Sequence, residues 1–265
     1  MLRLKVTTWN VNSLTARLAR AENWLQANQS DVLCLQELKL ETHKFPHEIF
    51  DALGYRAAVF GQKTYNGVAI IAKKSLPEFS DVVMGVPGYE DEQRRAIAVT
   101  IGDLRVIDLY VVNGQSLESD KFQYKLRWLD AVSAWLAAER AKYQKLVLVG
   151  DFNIAPTDAD VHDPVLWAGQ VLCTDQERAV FKHWIDLDLV DCFRKFEHPP
   201  KTFSWWDYRM LGFPKNNGLR IDHVLASPAM ANTCTECVID RNERKGEKPS
   251  DHAPVSATFA VTLEL

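Results

Sequence analysis

Acids and amides recur in this sequence at the ends of short apolar runs, where they could do chemistry together. Residues 146–153 read LVLVGDFN: four apolar residues, a glycine, then Asp151 and Asn153 separated by one aromatic. Such a run reads as a strand buried on both faces, and alternation beyond it puts Asp151 and Asn153 on one side with Phe152 turned into packing. An acceptor and an amide would then share a sheet edge, where open α/β architectures bind ligands. Alone, the segment reads better as a strand followed by an Asx-type turn. Recurrence reverses that preference. Asn10 and Asn12 close the first alternating stretch, Glu37 closes the run 31–37, and Tyr110 and Asn113 stand toward the end of the run 104–113. Asp222 occupies an apolar position in the run 218–226, where an unpaired carboxylate would cost several kcal/mol, so a partner is expected. Asp251 and His252 stand side by side before the last strand. Taken singly, each has an ordinary reading: Glu37 a surface acid, Tyr110 a core tyrosine with a satisfied hydroxyl, Asp251 and His252 an idle exposed pair.

The elements that must position these residues follow from periodicity. Strands are predicted over 4–12, 31–37, 55–60, 68–72, 96–101, 104–113, 146–153 and 218–226, with a final one after 255. Helices are predicted over 13–27 with Ser13 as cap, over 45–53 ending at Gly54, over 121–143 and over 176–187. Strand follows strand between 55 and 113, so that part of the sheet is expected to be antiparallel. Residues 154–175, rich in Pro, Asp and Thr, read as a long loop with at most one helical turn, and loops of that length are usually functional. Residues 202–209 mix aromatic and polar side chains as a partly exposed lip would. Each half of the chain shows strands framed by helices, and no linker or low-complexity tract interrupts them. The expected fold is therefore a single α/β domain over 1–265, a layered sandwich of two sheets with helices outside.

Composition narrows the class. The chain has 265 residues, 47% hydrophobic and 25% charged, the profile of an ordinary globular protein with room for a large core. No apolar run reaches the length of about 18 residues that a spanning helix needs, and the N-terminal stretch lacks a signal-like pattern, so the default location is cytoplasmic. Five scattered cysteines describe no disulfide framework, and Cys234 with Cys237 reads as strand rather than as half of a zinc site. A net charge of −4 argues against a protein that coats nucleic acid, though not against an enzyme that visits it. The basic runs Arg94/Arg95, Lys121/Lys125/Arg127 and Arg241/Arg244/Lys245/Lys248 each read as solvated faces.

The ordered set of strand ends resembles the exonuclease III family of abasic-site endonucleases, within the endonuclease/exonuclease/phosphatase superfamily. It consists of TWNVN at 8–12, LQELK at 35–39, GQKxxxGV at 61–68, GDFNIxP at 150–156, LRID at 219–222 and SDHAP at 250–254. Each motif is weak, but the order and spacing are specific and span essentially the whole chain. The resemblance implies a four-layered α/β sandwich of two packed, mainly antiparallel sheets, with a site at one edge that depends on Mg²⁺ or Mn²⁺. It also implies duplex DNA with abasic sites or 3′ ends as substrate, and a monomer. Glu37 would be the principal metal ligand, with Asn10 and Asp251 completing or neighbouring the site. Asp151 would orient or deprotonate water, assisted by Asn153. Asp222 and His252 would pair opposite the scissile phosphate, with Tyr110 and Asn113 at the phosphate or leaving oxygen. Asn12, Trp205 and Leu219 would contact substrate, the last two as walls of a sugar pocket. Loop 158–167, with His162 and Trp167, would lie where such enzymes meet DNA.

The chemistry asks for the same set. Phosphodiester hydrolysis builds negative charge that a divalent ion stabilises, and Mg²⁺ needs only one or two carboxylates besides substrate and water. A water nucleophile needs an acceptor, and a protonated histidine held by an acid can donate to the phosphate. Two alternatives are a superfamily phosphoesterase on a small-molecule or lipid phosphate and a non-catalytic DNA-binding module. The aromatic lip favours DNA, and a binding module would be expected to lose some phosphate-repelling acids.

Overall fold

In the computed structural model, which describes residues 2–264, the chain begins with β1 (Leu2–Asn10), α1 (Leu14–Asn28), β2 (Val32–Gln36), α2 (His47–Ala52), β3 (Tyr55–Phe60) and β4 (Val68–Lys73). It continues through β5 (Phe79–Met84), β6 (Ala96–Ile101), β7 (Leu104–Tyr110), α3 (Asp120–Lys142) and β8 (Lys145–Asp151). Then come α4 (Pro164–Trp167), α5 (Asp175–Asp186), β9 (Val190–Asp191), the ribbon of β10 (Trp205–Trp206) and β11 (Gly218–Leu219), and β12 (Asp222–Ala226). The last elements are α6 (Pro228–Ala231), β13 (Cys234–Ile239) and β14 (Val255–Val261).

Two six-stranded sheets result, ordered β13-β14-β1-β2-β4-β3 and β5-β6-β7-β8-β12-β9. Each holds one parallel pair, β1 with β2 across α1 and β7 with β8 across α3, and the other pairs are antiparallel. Alternation sorts the side chains into layers. On β2 and β8, Val32, Cys34, Val147 and Val149 face the opposite sheet, whereas Leu33, Leu35, Leu146 and Leu148 face helices. Helices α1 and α2 cover the first sheet, α3 and α5 the second, giving the four-layered sandwich. The helices start where capping chemistry allows. Ser13 accepts from the Ala16 N–H, and Thr174 forms a capping box with Glu177.

The inward-facing positions change character toward one end of the sandwich. Val6 gives way to Thr8 and Asn10, Cys34 to Gln36, Val106 to Asp108 and Tyr110, Val149 to Asp151, and Val224 to Asp222. All of these residues are buried. Between the sheets Gln36 Nε2 donates to Asp108 Oδ1 at 2.7 Å. The apolar seam thus becomes polar at one edge, which is where the strand ends converge.

Several expectations need adjustment. Strand β5 was not expected: it is a bulged edge strand, largely exposed, with Ser80 and Asp81 breaking its pattern, and it carries the chain from the first sheet to the second. The run 104–113 leaves the ladder at Tyr110, and 218–226 divides into β11 and β12. Loop 154–175 holds a 3₁₀ turn at Asp158–Asp160 besides the single turn of α4. Of the lip, Phe203, Ser204 and Trp206 are buried, whereas Thr202, Trp205, Asp207 and the two residues beyond reach solvent. Cys234 and Cys237 lie in β13 as expected.

Gly150 sits inside the ladder, between Leu109 and His223. Its φ of +147° disfavours any side chain, and a Cβ there would stand 1.9 Å from the Leu109 carbonyl oxygen. Gly150→Ala is therefore expected to destabilise the protein by about 3 kcal/mol or more, since neither neighbouring backbone can yield. Urea unfolding measures this, and an unchanged midpoint would contradict it.

Candidate active site

A cavity of about 740 Å³ opens at the polar edge of the seam. Glu37, Tyr110, Asn113, Asp151, Asn153, Trp205, Asp251 and His252 line it, delivered from both sheets. Asn10 and Asp222 are buried just behind the surface. The structure thus brings together the acids and amides that the sequence scatters over more than two hundred residues.

At the centre lies His252. Its Nδ1 stands 2.9 Å from Asp222 Oδ2, and its Nε2 stands 3.6 Å from Asp151 Oδ2. Burial opposes charging of this imidazole, but Asp222, Asp151 and Asp251 carry its pKa up to about 10, so it stays an imidazolium at neutral pH. Asp222 has a second partner the sequence reading missed. Ser204 Oγ donates to Asp222 Oδ2 at 2.6 Å and accepts the N–H groups of Ile221 and Asp222. Nothing in a serine flanked by aromatics announced this role.

Asp151 is fixed through both oxygens. Asn153 N–H donates to Oδ1 at 3.0 Å and Asn10 Nδ2 to Oδ2 at 2.9 Å. Burial pushes this carboxyl up to about 7, with Asp222 adding and His252 opposing. Asn153 takes a left-handed φ of 47° just past β8, and its side chain spans from Val111 O to Asn113. Glu37, immediately after β2, has a left-handed φ of 52°. It accepts from Tyr110 Oη, and Lys39 stands 3.4 Å from its other oxygen. Burial, together with the Glu37 carboxylate, raises the Tyr110 phenol well above its ordinary value, so that hydroxyl remains a donor.

Asp251 accepts from Asn12 at 3.1 Å and from Trp205 Nε1 at 3.0 Å. Arg17 braces this corner by donating to the carbonyls of Asn12, Lys248 and Pro249 and to Tyr208 Oη. Leu219 is fully buried behind the wall, opposite Trp205 in the ribbon, and Ile221 lines the cavity in its stead. In the 158–167 loop, His162 turns to the carbonyl of Gly218, while Trp167 packs against the buried cluster that holds Leu219 and Leu172 and also lines the cavity.

A hard divalent cation fits this donor set. The side-chain donors of Glu37 and Asp251 are carboxylate oxygens, and Asn10 Oδ1 carries only the Asn12 N–H and keeps a lone pair free. The closest acid cluster, Asp151, Asp222 and His252, places its ligand atoms within 4.8 Å of one another. The imidazolium there offsets one of the two carboxylate charges and offers no lone pair, whereas Glu37 and Asn10 present free oxygens that could hold a metal.

The back of the site is clamped by fully buried Arg220. It donates to Asp160 Oδ1 at 2.6 Å, to both oxygens of Asp191, and to His223 Nδ1 at 3.1 Å. Since Nδ1 accepts there, His223 is the neutral tautomer whose Nε2–H donates to Ile154 O.

The profile of the Endonuclease/Exonuclease/phosphatase family matches residues 7–252. The chain is 36% identical to an exodeoxyribonuclease III of Haemophilus influenzae, over 97% of this chain and 100% of the relative. A Neisseria 3′ phosphatase bound to a product DNA hairpin superposes with a TM-score of 0.94 at 45% identity, covering 97% of this chain and 100% of that one. An AP endonuclease from Archaeoglobus fulgidus gives a TM-score of 0.91 at 36% identity, covering 97% and 100%.

Burial and Arg220 depress the His223 pKa to about 4. As pH falls below 6.5 the unfolded chain takes this proton first, so the stabilisation is complete above about 6.5 and is lost as pH falls toward 4. The group is expected to cost the protein about 2 kcal/mol between pH 7 and pH 5. Urea melts at the two pH values, compared with those of His223→Gln, isolate the effect; equal pH slopes would refute it.

Proposed function

Because the chain belongs to the endonuclease/exonuclease/phosphatase family, we propose that it hydrolyses phosphate esters of duplex DNA. It would clean or trim 3′ ends and incise beside abasic sites, leaving 3′-hydroxyls. The observation that carries this reading is the Asp222–His252–Asp151 array, open on one side to a cavity that Glu37 and Tyr110 also line. The relatives' activities on DNA ends and abasic sites point to the same substrate class.

Each residue has a role that its surroundings support. Asp151, with both oxygens oriented by Asn153 and Asn10, accepts a proton from the attacking water. His252, held by Asp222 through Nδ1, presents Nε2–H to a phosphoryl oxygen as charge grows there. Tyr110 and Asn113 line the same cavity, suited to the phosphate or the leaving oxygen. Glu37, with Asn10 and Asp251 beside it, would hold Mg²⁺ or Mn²⁺. A bound ion of this kind stabilises negative charge on the phosphoryl and departing oxygens. Trp205, Ile221, Leu172 and Trp167 give the cavity apolar walls able to take a deoxyribose or a terminal base.

A labelled duplex carrying a central abasic analogue and a recessed 3′-phosphate end tests the reading, with phosphoinositide as control. Products ending in 3′-hydroxyl are expected with Mg²⁺ and none with chelator; cleavage of the phosphoinositide alone would overturn the assignment. Asp151→Asn, Glu37→Ala and His252→Asn are each expected to lower turnover by about two or more orders of magnitude, with little change in melting temperature for the first two and a lowered one for His252→Asn, which leaves two buried acids without their cation. Near-normal turnover of Glu37→Ala at saturating Mg²⁺ would remove Glu37 from the metal site.

A further inference from the structure

Lys125 belongs to a basic run that reads as solvent-facing, yet its side chain is completely enclosed. Its ammonium has three N–H donors, and all are engaged. They go to the Asn153 carbonyl at 2.6 Å, the Asn113 carbonyl at 3.2 Å and the Glu177 carboxylate. Among the described residues, neither carbonyl has another donor, because β7 stops at Tyr110 and β8 at Asp151, short of both asparagines. Glu177 is held in turn by the N–H of Leu172 at 3.0 Å and by the backbone and hydroxyl of Thr174 at 3.0 and 2.7 Å. A continuous path therefore runs from the cavity wall at Leu172, through one buried ion pair, to the backbone of two cavity asparagines.

Stability alone does not account for a lysine here. A buried ion pair is commonly no better than apolar residues of the same volume, whereas loss of one partner leaves a buried charge uncompensated. Position does account for it. Asn153 holds a left-handed φ of 47°, a conformation that persists only where surroundings over-determine it, and its N–H and side chain orient Asp151 and Asn113.

We propose that Lys125, anchored by Glu177, is a positioning residue for the hydrolytic reaction: it fixes the Asn113 and Asn153 backbones and so the amides that meet the substrate phosphate. The inference rests on the reading of those asparagines as part of the active site. Small displacements at reacting groups carry large rate penalties, so its signature is a fall in kcat rather than in binding.

The test removes the charges as a pair. Lys125→Met combined with Glu177→Gln leaves no unpaired charge and keeps one side-chain oxygen to accept from Thr174. On a 3′-phosphate duplex with Mg²⁺, the double variant is expected to fold with a lowered melting temperature, since two carbonyls lose their donor, to lose about tenfold to a hundredfold in kcat, and to hold KM within about twofold. A kcat equal to the parent's in a folded double variant overturns the inference. Should the double variant fail to fold, Glu177→Asp alone decides, because it keeps the buried charges paired while drawing the carboxylate back by one methylene: a kcat loss at unchanged KM supports the inference and an unchanged kcat overturns it. Asn153→Ala, run in parallel, separates the two levels. Full activity there would overturn the site reading itself, whereas loss there with an intact double variant would overturn the role of Lys125 alone.

Discussion

An imidazolium locked between two carboxylates in a dry seam is the arrangement on which the rest of this structure depends. His252 between Asp222 and Asp151 removes charge repulsion that two buried acids would otherwise carry, and it leaves one N–H facing the cavity. The three residues come from two adjacent strands of one sheet, β8 and β12, and from the loop leading into β14 of the other. Their meeting therefore requires the two sheets to be correctly apposed. Ser204, Asn10 and the Asn153 N–H then satisfy the carboxylate oxygens from the protein side, which holds the array in one geometry.

The two sheets solve one problem twice. Each is built around a parallel pair joined by a long helix, with antiparallel strands on either side. At the ends of those parallel pairs the inward positions turn polar together, Asn10 and Gln36 on one side and Tyr110 and Asp151 on the other. A strand end is where the ladder stops claiming backbone and side-chain positions, so left-handed residues such as Glu37 and Asn153 can re-aim there without breaking a sheet.

Much of this was legible beforehand. Alternation with period two turned Phe152 into packing and Asp151 to the side away from it, and the anomaly of Asp222 at an apolar position correctly demanded a partner. Helix caps and stops at Ser13 and Gly54 set element ends to within a residue or two. The misses share one cause: a local pattern records which face of an element a residue occupies, not what packs on that face. Lys125 reads as part of a charged run, although α5 and the strand ends cover it. Leu219 matches a wall position, but pairing in the ribbon turns it behind Trp205. Ser204 meets Asp222 18 residues on and Arg17 meets Pro249 232 residues on, distances at which periodicity carries no information.

The Gln36–Asp108 contact between the sheets has a wider consequence. Burial drives the Asp108 carboxyl well above its ordinary value, and the two remaining oxygens of the pair, Gln36 Oε1 and Asp108 Oδ2, have no other partner. Hydrocarbon surfaces slide past one another with little penalty, whereas separating two such groups strands both in a medium without water. One amide and one acid thus act as a dowel between two greasy plates. They set the offset at which the plates come to rest, and with it the width of the opening that substrate must enter.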